Sequence, residues 1–243
     1  MKVHTTVGGA WPTGLAGRVH TWDSRAAGWD HSGVPGLDRV AGAVLRHAGD
    51  LGDLDIADMG CGSGQITLEV AKRARSVVAI DFSPAMLLRL QERAAGMDLG
   101  NITTVLAPLQ SLDLAPRSVD VVVSNYACHH LRDGEKAELV ARAAGWLRPG
   151  GVIVIGDMMF SPRGTGRSDR RIIASKVTSI ARRGPAGWWR IAKNAWRFLV
   201  TRQECPASME AWEAMLTAAG FGEIRSERVV ADGAVVSARR SEK

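Results

Sequence analysis

Seven consecutive residues, Asp58-Met59-Gly60-Cys61-Gly62-Ser63-Gly64, have the types and the spacing to hold a ligand. A short apolar run (residues 54–57) precedes them, and residues 65–75 place apolar side chains among polar ones as a helix does. The pattern predicts a buried strand, a tight turn and a helix, an arrangement that points backbone N–H groups at a bound group. Glycine is needed in the turn because a Cβ would block both a positive φ and the approach of the ligand.

The spacing of the glycines separates two classes of ligand. Dinucleotide sites use G-x-G-x-x-G, whose third glycine lets the helix pack on the strand. Here the glycines occupy positions 60, 62 and 64, position 65 is glutamine, and Asp58 lies two residues before the first glycine. This spacing departs from the dinucleotide pattern but leaves a nicotinamide cofactor as an alternative ligand.

A second carboxylate lies at the end of the next predicted strand, residues 76–80. Asp81 follows that strand, 17 residues after Gly64. A carboxylate at the carboxyl end of a parallel strand can accept two hydrogen bonds from the hydroxyl groups of a ribose. The competing role, capping the next helix, goes to Ser83, because Ser83 precedes Pro84 at the first helical position. We therefore assign Asp81 to the ligand.

Polar side chains also follow the predicted strands at residues 119–124 and 152–156. His129 and His130 are candidate general bases, since an imidazole with its ordinary pKa of about 6.5 suits deprotonation of a hydroxyl. The alternative is that they only shape a pocket. Asp157 lies at the same sheet edge and is either part of an acceptor pocket or a structural corner.

Strands and helices alternate along the chain in the order that a doubly wound α/β fold requires. Strands are predicted at residues 54–57, 76–80, 101–106, 119–124, 152–156, 223–230 and 234–239, and helices at residues 37–48, 65–75, 83–95, 135–147 and 208–219. Asp232-Gly233 indicates a hairpin between the last two strands. We expect a mostly parallel seven-stranded sheet with an antiparallel last strand.

The string D-x-G-x-G-x-G at residues 58–64 and the string S-N-x-x-x-H-H-L at residues 124–131 resemble motifs of the class I S-adenosylmethionine-dependent methyltransferases. Within that family they are similar to the small-molecule (UbiE-like, methyltransferase type 11) branch. The resemblance covers roughly residues 37–160 and 207–240. It implies a Rossmann-like methyltransferase fold, S-adenosylmethionine as cofactor, and in-line transfer of its methyl group to a small-molecule acceptor.

The resemblance also implies roles for individual residues. Asp58 would orient the loop and the ammonium group of the cofactor, Asp81 would bind the ribose, and residues 124–126 would border the methionine end. The family's adenine-binding Asp is absent, since the matching pair is Ala107-Pro108. The adenine contacts are therefore expected from the backbone of Leu109, the amide of Gln110 and apolar packing. The implied cofactor-binding residues are Asp58, Gly60, Cys61, Gly62, Gly64, Asp81, Phe82, Leu109, Gln110, Ser124, Asn125 and Tyr126.

The N-terminal residues 1–36 predict a loop-rich arm that contains several tryptophans. Large apolar rings in an irregular arm should bury against the core, either capping it or lining the site. The candidate residues of the acceptor pocket are Trp22, Trp29, Tyr126, His129 and Asp157.

Residues 161–204 predict a helical insertion between two parts of a core domain, residues 37–160 and 205–243. Between residues 163 and 202 the insertion carries eleven Lys or Arg and one acidic residue. We interpret it as a lid whose basic face is solvated or contacts an anionic membrane surface, an acidic or phosphorylated substrate, or RNA.

The composition bounds the class of protein and its compartment. The chain has 243 residues, a formal net charge of +6, and three scattered cysteines, an odd number without metal-ligand spacing. These features predict a cytoplasmic protein without a metal site, and neither a secretion signal nor a membrane-spanning run is expected. Asn125-Tyr126 lacks the prolines typical of enzymes that methylate nucleic-acid bases, which argues against a nucleic-acid substrate.

Two other functions stay open on the sequence alone. A lipid- or quinone-directed methyltransferase would dock on the membrane surface through the basic insertion and would be peripheral to the membrane. A non-catalytic protein would keep the cofactor loop and use the basic segment to contact RNA or a protein partner.

Overall fold

The computed structural model describes residues 36–161 and 204–242, together with residues 19, 20, 23, 24, 170, 174 and 178. Trp22 and Trp29 of the expected arm lie outside the described residues, as does almost all of the expected basic insertion. The divisions at residues 1–36 and 161–204 therefore stay predictions.

Within residues 36–161 and 204–242, strands and helices alternate along the chain. The strands are β1 (Asp55–Met59), β2 (Ser76–Asp81), β3 (Ile102–Leu106), β4 (Val119–Asn125), β5 (Leu147–Met158), β6 (Phe221–Arg228) and β7 (Gly233–Arg240). The helices are α1 (Leu37–Ala48), α2 (Thr67–Ala71), α3 (Pro84–Gly96), α4 (Asp133–Trp146) and α5 (Met209–Ala218), and a 3₁₀ turn spans Cys128–His130. In this part of the chain, no helix has the length and apolar character needed to cross a membrane.

The strands form one sheet in the order β3-β2-β1-β4-β5-β7-β6. Strands β1 to β5 pair in parallel, and β7 pairs antiparallel with both β5 and β6. The expected α/β fold with an antiparallel last strand is confirmed. Because the strand order reverses between β1 and β4, the sheet has a crevice at the carboxyl ends of these two strands, where ligands of open α/β sheets bind.

Helices cover both faces of the sheet. Helices α1, α2 and α3 pack on one face, where Val44, Leu68 and Leu90 are buried. Helices α4 and α5 pack on the other, where Trp146 and Trp212 are fully buried. Each buried tryptophan removes about 150–250 Å² of surface from water, so both layers hold the sheet firmly and fix its carboxyl edge.

The helix after the glycine turn is shorter than the sequence predicts. It spans Thr67–Ala71 instead of residues 65–75, because residues 62–66 form successive turns before it. The Gly64 N–H donates to the Cys61 carbonyl at 2.9 Å, and the Leu68 N–H donates to the Gly64 carbonyl at 3.0 Å. The loop therefore reaches the helix through a tight turn.

Strand β5 begins earlier than predicted, at Leu147 instead of residue 152. The run Arg148-Pro149-Gly150-Gly151 stays in the strand because the Arg148 guanidinium forms ion pairs with Asp55 at 3.0 Å and Asp120 at 2.8 Å. Gly151 is also required here, since a Cβ would come within 2.8 Å of the Asp120 carbonyl oxygen.

The packing around Gly64 gives a stability prediction. A Cβ on Gly64 would lie 2.4 Å from Leu90 Cδ1 and 3.2 Å from Leu68 Cγ, whereas a Cβ on Gly220 would meet no atom within 4 Å. Both glycines have a positive φ, so backbone strain is similar. We expect Gly64→Ala to lower the free energy of unfolding by roughly 1–3 kcal/mol more than Gly220→Ala, the range for overpacking a core. Urea unfolding of the two variants checks this, and equal losses would contradict it.

Candidate active site

An open cleft of about 1000 Å³, counting the part open to solvent, lies at the carboxyl ends of β1, β2 and β4. It is lined by the glycine turn, by the residues after β2 and β3, and by the residues after β4. Carboxylates lie at the turn, and apolar side chains such as Leu37, Met86 and Leu131 complete the walls. A mostly apolar cleft with a few convergent polar groups is the usual form of a small-molecule site.

The three glycines of the turn serve different purposes. All have a positive φ, 74° at Gly60, 52° at Gly62 and 96° at Gly64. A Cβ on Gly60 would lie 2.3 Å from the Ala127 Cβ, so this glycine lets the turn pack against the segment after β4. Gly62 lines the cleft, and a Cβ there would meet no protein atom within 4 Å. Gly62 is thus the glycine whose missing side chain leaves room for a ligand.

Asp81 ties the turn to the end of β2. Its Oδ2 accepts a hydrogen bond from the Gly62 N–H and its Oδ1 accepts one from the Ser83 N–H, both at 2.9 Å. The side chain lines the cleft although Asp81 is only 7% exposed. Burial raises the pKa of this carboxyl to about 6, against the opposing effect of its backbone hydrogen bonds.

Asp58 lies beside Asp81 and is more deeply buried, at 1% exposure. Its Oδ2 accepts a hydrogen bond from the Thr67 hydroxyl at 2.6 Å. Burial raises the pKa of Asp58 to about 7, and the neighbouring Asp81 charge adds to the shift. Burial and the two carboxylates also raise the pKa of the Cys61 thiol, so Cys61 is a poor nucleophile.

Ser83 caps α3 as the sequence predicts, and it has a second partner. The Met86 N–H donates to its hydroxyl oxygen at 3.2 Å. The hydroxyl in turn donates to Asp23 Oδ1 at 2.5 Å, and the Ala85 N–H approaches the same oxygen at 3.4 Å. Asp23 thus brings a third carboxylate near the cleft.

The residues after β3 line the cleft as expected, but their carbonyl groups are already engaged. Arg142 Nη2 donates to the Leu109 carbonyl at 3.0 Å and to the Gln110 carbonyl at 3.1 Å. These hydrogen bonds fix the backbone of the loop. The Gln110 carboxamide and the Leu109 side chain therefore remain as the groups able to contact an adenine.

At the end of β4, a series of hydrogen-bonded polar side chains runs along one wall of the cleft. Asn125 Nδ2 donates to Gln65 Oε1 at 3.2 Å, and Gln65 Nε2 donates to Asp38 Oδ1 at 2.8 Å. Asn125 Oδ1 is buried and has no hydrogen-bond partner among the described residues. Tyr126, with φ of 53°, turns its backbone into the left-handed region and lines the cleft. Such strain in a non-glycine residue is typical of functional sites.

The two histidines occupy different environments. His130 lines the cleft. His129 lies beneath it at 8% exposure, with Nδ1 2.7 Å from Asp157 Oδ1 and its backbone N–H donating to Asp157 Oδ2 at 2.7 Å. The rings of His129 and His130 lie 4.0 Å apart between centroids. Asp157 is fully buried, so this pair supports the turn and does not face the cleft.

The structure brings together ten of the twelve expected cofactor-binding residues at the cleft. Gly64 and Ser124 lie behind it; the Ser124 hydroxyl donates to the Met59 carbonyl at 2.8 Å. Of the expected acceptor-pocket residues, Tyr126 lines the cleft, His129 and Asp157 lie beneath it, and the two tryptophans lie outside the described residues. Within the described part of the chain, no three His, Cys, Asp or Glu side chains are grouped to hold a metal ion.

Sequence reasoning missed several lining residues. They are Leu37, Ser63, Gln65, Ile66, Met86, Ala127 and Leu131. Only Gln65 carried a sequence signal, because it takes the place of the third glycine of the dinucleotide pattern. The others are apolar or small residues whose position depends on tertiary packing.

Fold and site together define an open α/β sheet with a cleft at the carboxyl ends of β1, β2 and β4. Residues 56–151 match the family model of a methyltransferase domain. A crystal structure of an S-adenosylmethionine-dependent methyltransferase from Mesorhizobium loti is 26% identical, with a TM-score of 0.61 over 84% of this chain and 100% of that chain. The chain is therefore similar to S-adenosylmethionine-dependent methyltransferases, and residues 56–151 carry the match to the methyltransferase domain.

Two curated relatives show the extent of the similarity. Phosphoethanolamine N-methyltransferase 1 of Triticum aestivum is 33% identical over 147 residues, 60% of this chain and 28% of that protein. An uncharacterised methyltransferase of Geobacillus kaustophilus is 30% identical over 148 residues, 58% of this chain and 64% of that protein. The chain thus matches only part of the length of either relative.

The buried carboxylates predict a pH-dependent stability. The pKa values of Asp58 and Asp81, about 7 and about 6 in the folded chain, lie above the ordinary value of 3.8, so the folded state binds more protons between these limits. Stability should therefore fall as the pH rises through this window, by at most about 1.4 kcal/mol per pH unit for each group. We expect Asp58→Asn to reduce the fall seen in urea unfolding between about pH 5 and about pH 8. Asp98→Asn, at an exposed position, is the matched control; an unchanged profile in Asp58→Asn would refute the assignment.

Proposed function

We propose that the protein transfers the methyl group of S-adenosylmethionine to a small-molecule acceptor bound in the same cleft. The observation that carries this proposal is the contact between Asp81 and the glycine turn. The carboxylate lies 2.9 Å from the Gly62 N–H, at the edge of a cleft that Gly62 keeps open. One short stretch of backbone and one carboxylate thereby form a polar cradle whose groups can bind the hydroxyl groups of a ribose.

The residues of the cleft fit this cofactor. The Asp81 oxygens each accept one backbone N–H and retain lone pairs for ribose hydroxyls. Asp58 adds negative charge beside the turn, which suits the ammonium group, and Asn125 Oδ1 is a second acceptor without a described partner. Leu109 and Gln110 would flank the adenine. The polar groups of the cleft thus match the cationic and hydroxyl groups of the ligand.

When bound, S-adenosylmethionine supplies an electrophilic methyl group on a sulfonium sulfur. The chain would contribute position and the exclusion of water, and holding two reactants in line can supply roughly 7–11 kcal/mol of the barrier. His130 is the group on the acceptor side able to take a proton from a hydroxyl or an ammonium. His129 and Asp157 would hold the turn that presents it.

A small-molecule acceptor is the substrate class that the cleft supports. Tyr126, Leu131 and Leu37 contribute apolar surface to the cleft that His130 also lines. The curated relative from Triticum aestivum acts, by its name, on phosphoethanolamine, which is a small molecule. The lipid- or quinone-directed and the non-catalytic alternatives rest on the basic segment of residues 163–202, almost all of which lies outside the described residues. A cytoplasmic location stays a prediction.

The direct test is calorimetry followed by turnover. We expect the intact protein to bind S-adenosylmethionine and S-adenosylhomocysteine, and to form S-adenosylhomocysteine when a pool of hydroxyl and amine acceptors is added, as detected by mass spectrometry. Binding of the cofactor without turnover on any acceptor would favour the non-catalytic alternative. Failure to bind either nucleoside would end the assignment.

Asp81→Asn should weaken the binding of S-adenosylhomocysteine by roughly 1.5–3 kcal/mol, about 10- to 150-fold, because a charge-assisted contact to the ribose is lost. Gly62→Ala should weaken it as well, since its Cβ enters the cleft. Gly220→Ala shares the positive φ of Gly62 but lies away from the cleft, so its affinity should match the parent chain. Calorimetry on all three folded variants provides the comparison.

Substitutions of the two histidines should have different effects, one on turnover and the other on the free energy of unfolding. His130→Ala should lower turnover on a hydroxyl acceptor by about 10²–10⁴-fold with little change in cofactor affinity, as expected for a lost general base. His129→Ala should instead lower the free energy of unfolding, because the buried Asp157 carboxylate loses its partner. If turnover falls in His129→Ala at unchanged stability while His130→Ala stays active, the roles are reversed.

A further inference from the structure

Two buried carboxylates at the cleft have only neutral hydrogen-bond partners among the described residues. Asp58 is bonded to the Thr67 hydroxyl, and Asp81 to the N–H groups of Gly62 and Ser83. Neither forms an ion pair within the described part of the chain. Buried charges in proteins are normally paired, so this site is built for a partner that arrives with the ligand.

Among the described residues, no cationic side chain is hydrogen-bonded to either carboxylate. From the N-terminal residues, Asp23 adds a further negative charge next to Ser83. Within the turn, the Cys61 thiol is held neutral, since its pKa is raised. From α3, the Arg93 guanidinium donates to the Ser63 carbonyl at 2.9 Å, on the loop backbone.

The segment after β4 faces the pair from the opposite side of the cleft. Tyr126 is neutral there because burial and the nearby Asp232 and Asp157 charges raise its pKa. His130, at the same wall, is the one titratable group of the described lining that can carry a positive charge. Among the described residues, the side chains beside the glycine turn are therefore mainly acidic, and no described cation is bonded to either carboxylate.

We propose that the Asp58–Asp81 pair makes the site selective for ligand charge, so that the cationic cofactor displaces protons from the pair and the neutral product lets them return. This inference rests on the function proposed above. S-Adenosylmethionine carries an ammonium, a carboxylate and a sulfonium, for a net charge of +1, whereas S-adenosylhomocysteine lacks the sulfonium charge and is neutral overall.

Methyl transfer changes this charge inside the cleft. The lone pair of the acceptor forms the new bond to the methyl carbon, and the electron pair of the broken S–C bond stays on sulfur, which becomes a neutral thioether. The positive charge leaves on the methylated acceptor or on the proton that the acceptor loses to a base. The ammonium group of the product remains, but the sulfonium charge is gone, so protonation of the carboxylate pair is more favourable than with S-adenosylmethionine bound.

The sign of the pH dependence follows from this cycle. A cation near the pair stabilises the ionised carboxylates, so its affinity rises as the pH rises through about 6 to about 7, where Asp58 and Asp81 titrate in the free chain. The affinity for S-adenosylhomocysteine should rise less over the same window. The ratio of the two affinities therefore shifts toward S-adenosylmethionine as the pH increases.

Calorimetry in buffers of different ionisation enthalpy measures the protons released on binding at about pH 7. The ligands are S-adenosylmethionine, S-adenosylhomocysteine and sinefungin, which carries an amine in place of the sulfonium centre. Burial raises the pKa of Asp58 to about 7, so this carboxyl can still release a proton at this pH. We expect the two cationic ligands to release more protons per molecule than S-adenosylhomocysteine does.

Single substitutions test whether the difference in proton release between the ligands comes from Asp58 and Asp81. Asp58→Asn should remove most of the difference between the cationic and neutral ligands, and Asp98→Asn, exposed and remote, should keep it. Asp81→Asn is the second variant if Asp58→Asn does not fold. Equal proton release for all three ligands would overturn the inference while leaving the proposed function intact, and so would a difference that survives in both variants. Failure of every ligand to bind would instead overturn the proposed function.

Discussion

The carboxylate of Asp81 joins the two strand ends that define the cleft. It accepts the N–H of Gly62 from the turn after β1 and the N–H of Ser83 from the start of α3. The Ile80 carbonyl also accepts hydrogen bonds from Gly60 and Cys61, at 2.8 and 2.9 Å. The turn after β1 is therefore held by the end of β2, and its shape depends on one buried acid. Asp81, which we propose binds the ribose, therefore also fixes the shape of the glycine turn beside the ribose site.

The acceptor side of the cleft depends on a different acid. Asp157, at the end of β5, accepts hydrogen bonds from both the backbone and the ring of His129, so the 3₁₀ turn after β4 has one orientation. The His129 carbonyl then accepts from the Cys205 N–H at 2.6 Å, and the fully buried Lys136 donates to the Cys205 carbonyl. Residues on both sides of the segment 162–203 thus meet at His129. The wall that carries His130 is fixed by contacts far apart in sequence.

The difference between these two sides explains what the sequence could predict. Asp81, Ser83 and the glycine turn follow local rules, namely strand ends, helix caps and positive φ, and the structure places them as expected. His129 and His130 are neighbours of the same type, and only tertiary packing decides which one faces the cleft. Local rules likewise missed the continuation of β5 through residues 148–151, because Arg148 is held by carboxylates on other strands.

Buried carboxylates without described cationic partners lower the free energy of unfolding. Desolvation of Asp58 and Asp81 opposes folding at neutral pH, and their mutual repulsion adds to it. Natural sequences accept such local conflict where function requires it, and the rest of the chain must supply the stability. Here the two helical layers with their buried tryptophans hold the sheet edge rigid enough to keep the acids together. A ligand that brings positive charge removes part of this conflict, so recognition of the cofactor and stabilisation of the fold have the same electrostatic origin.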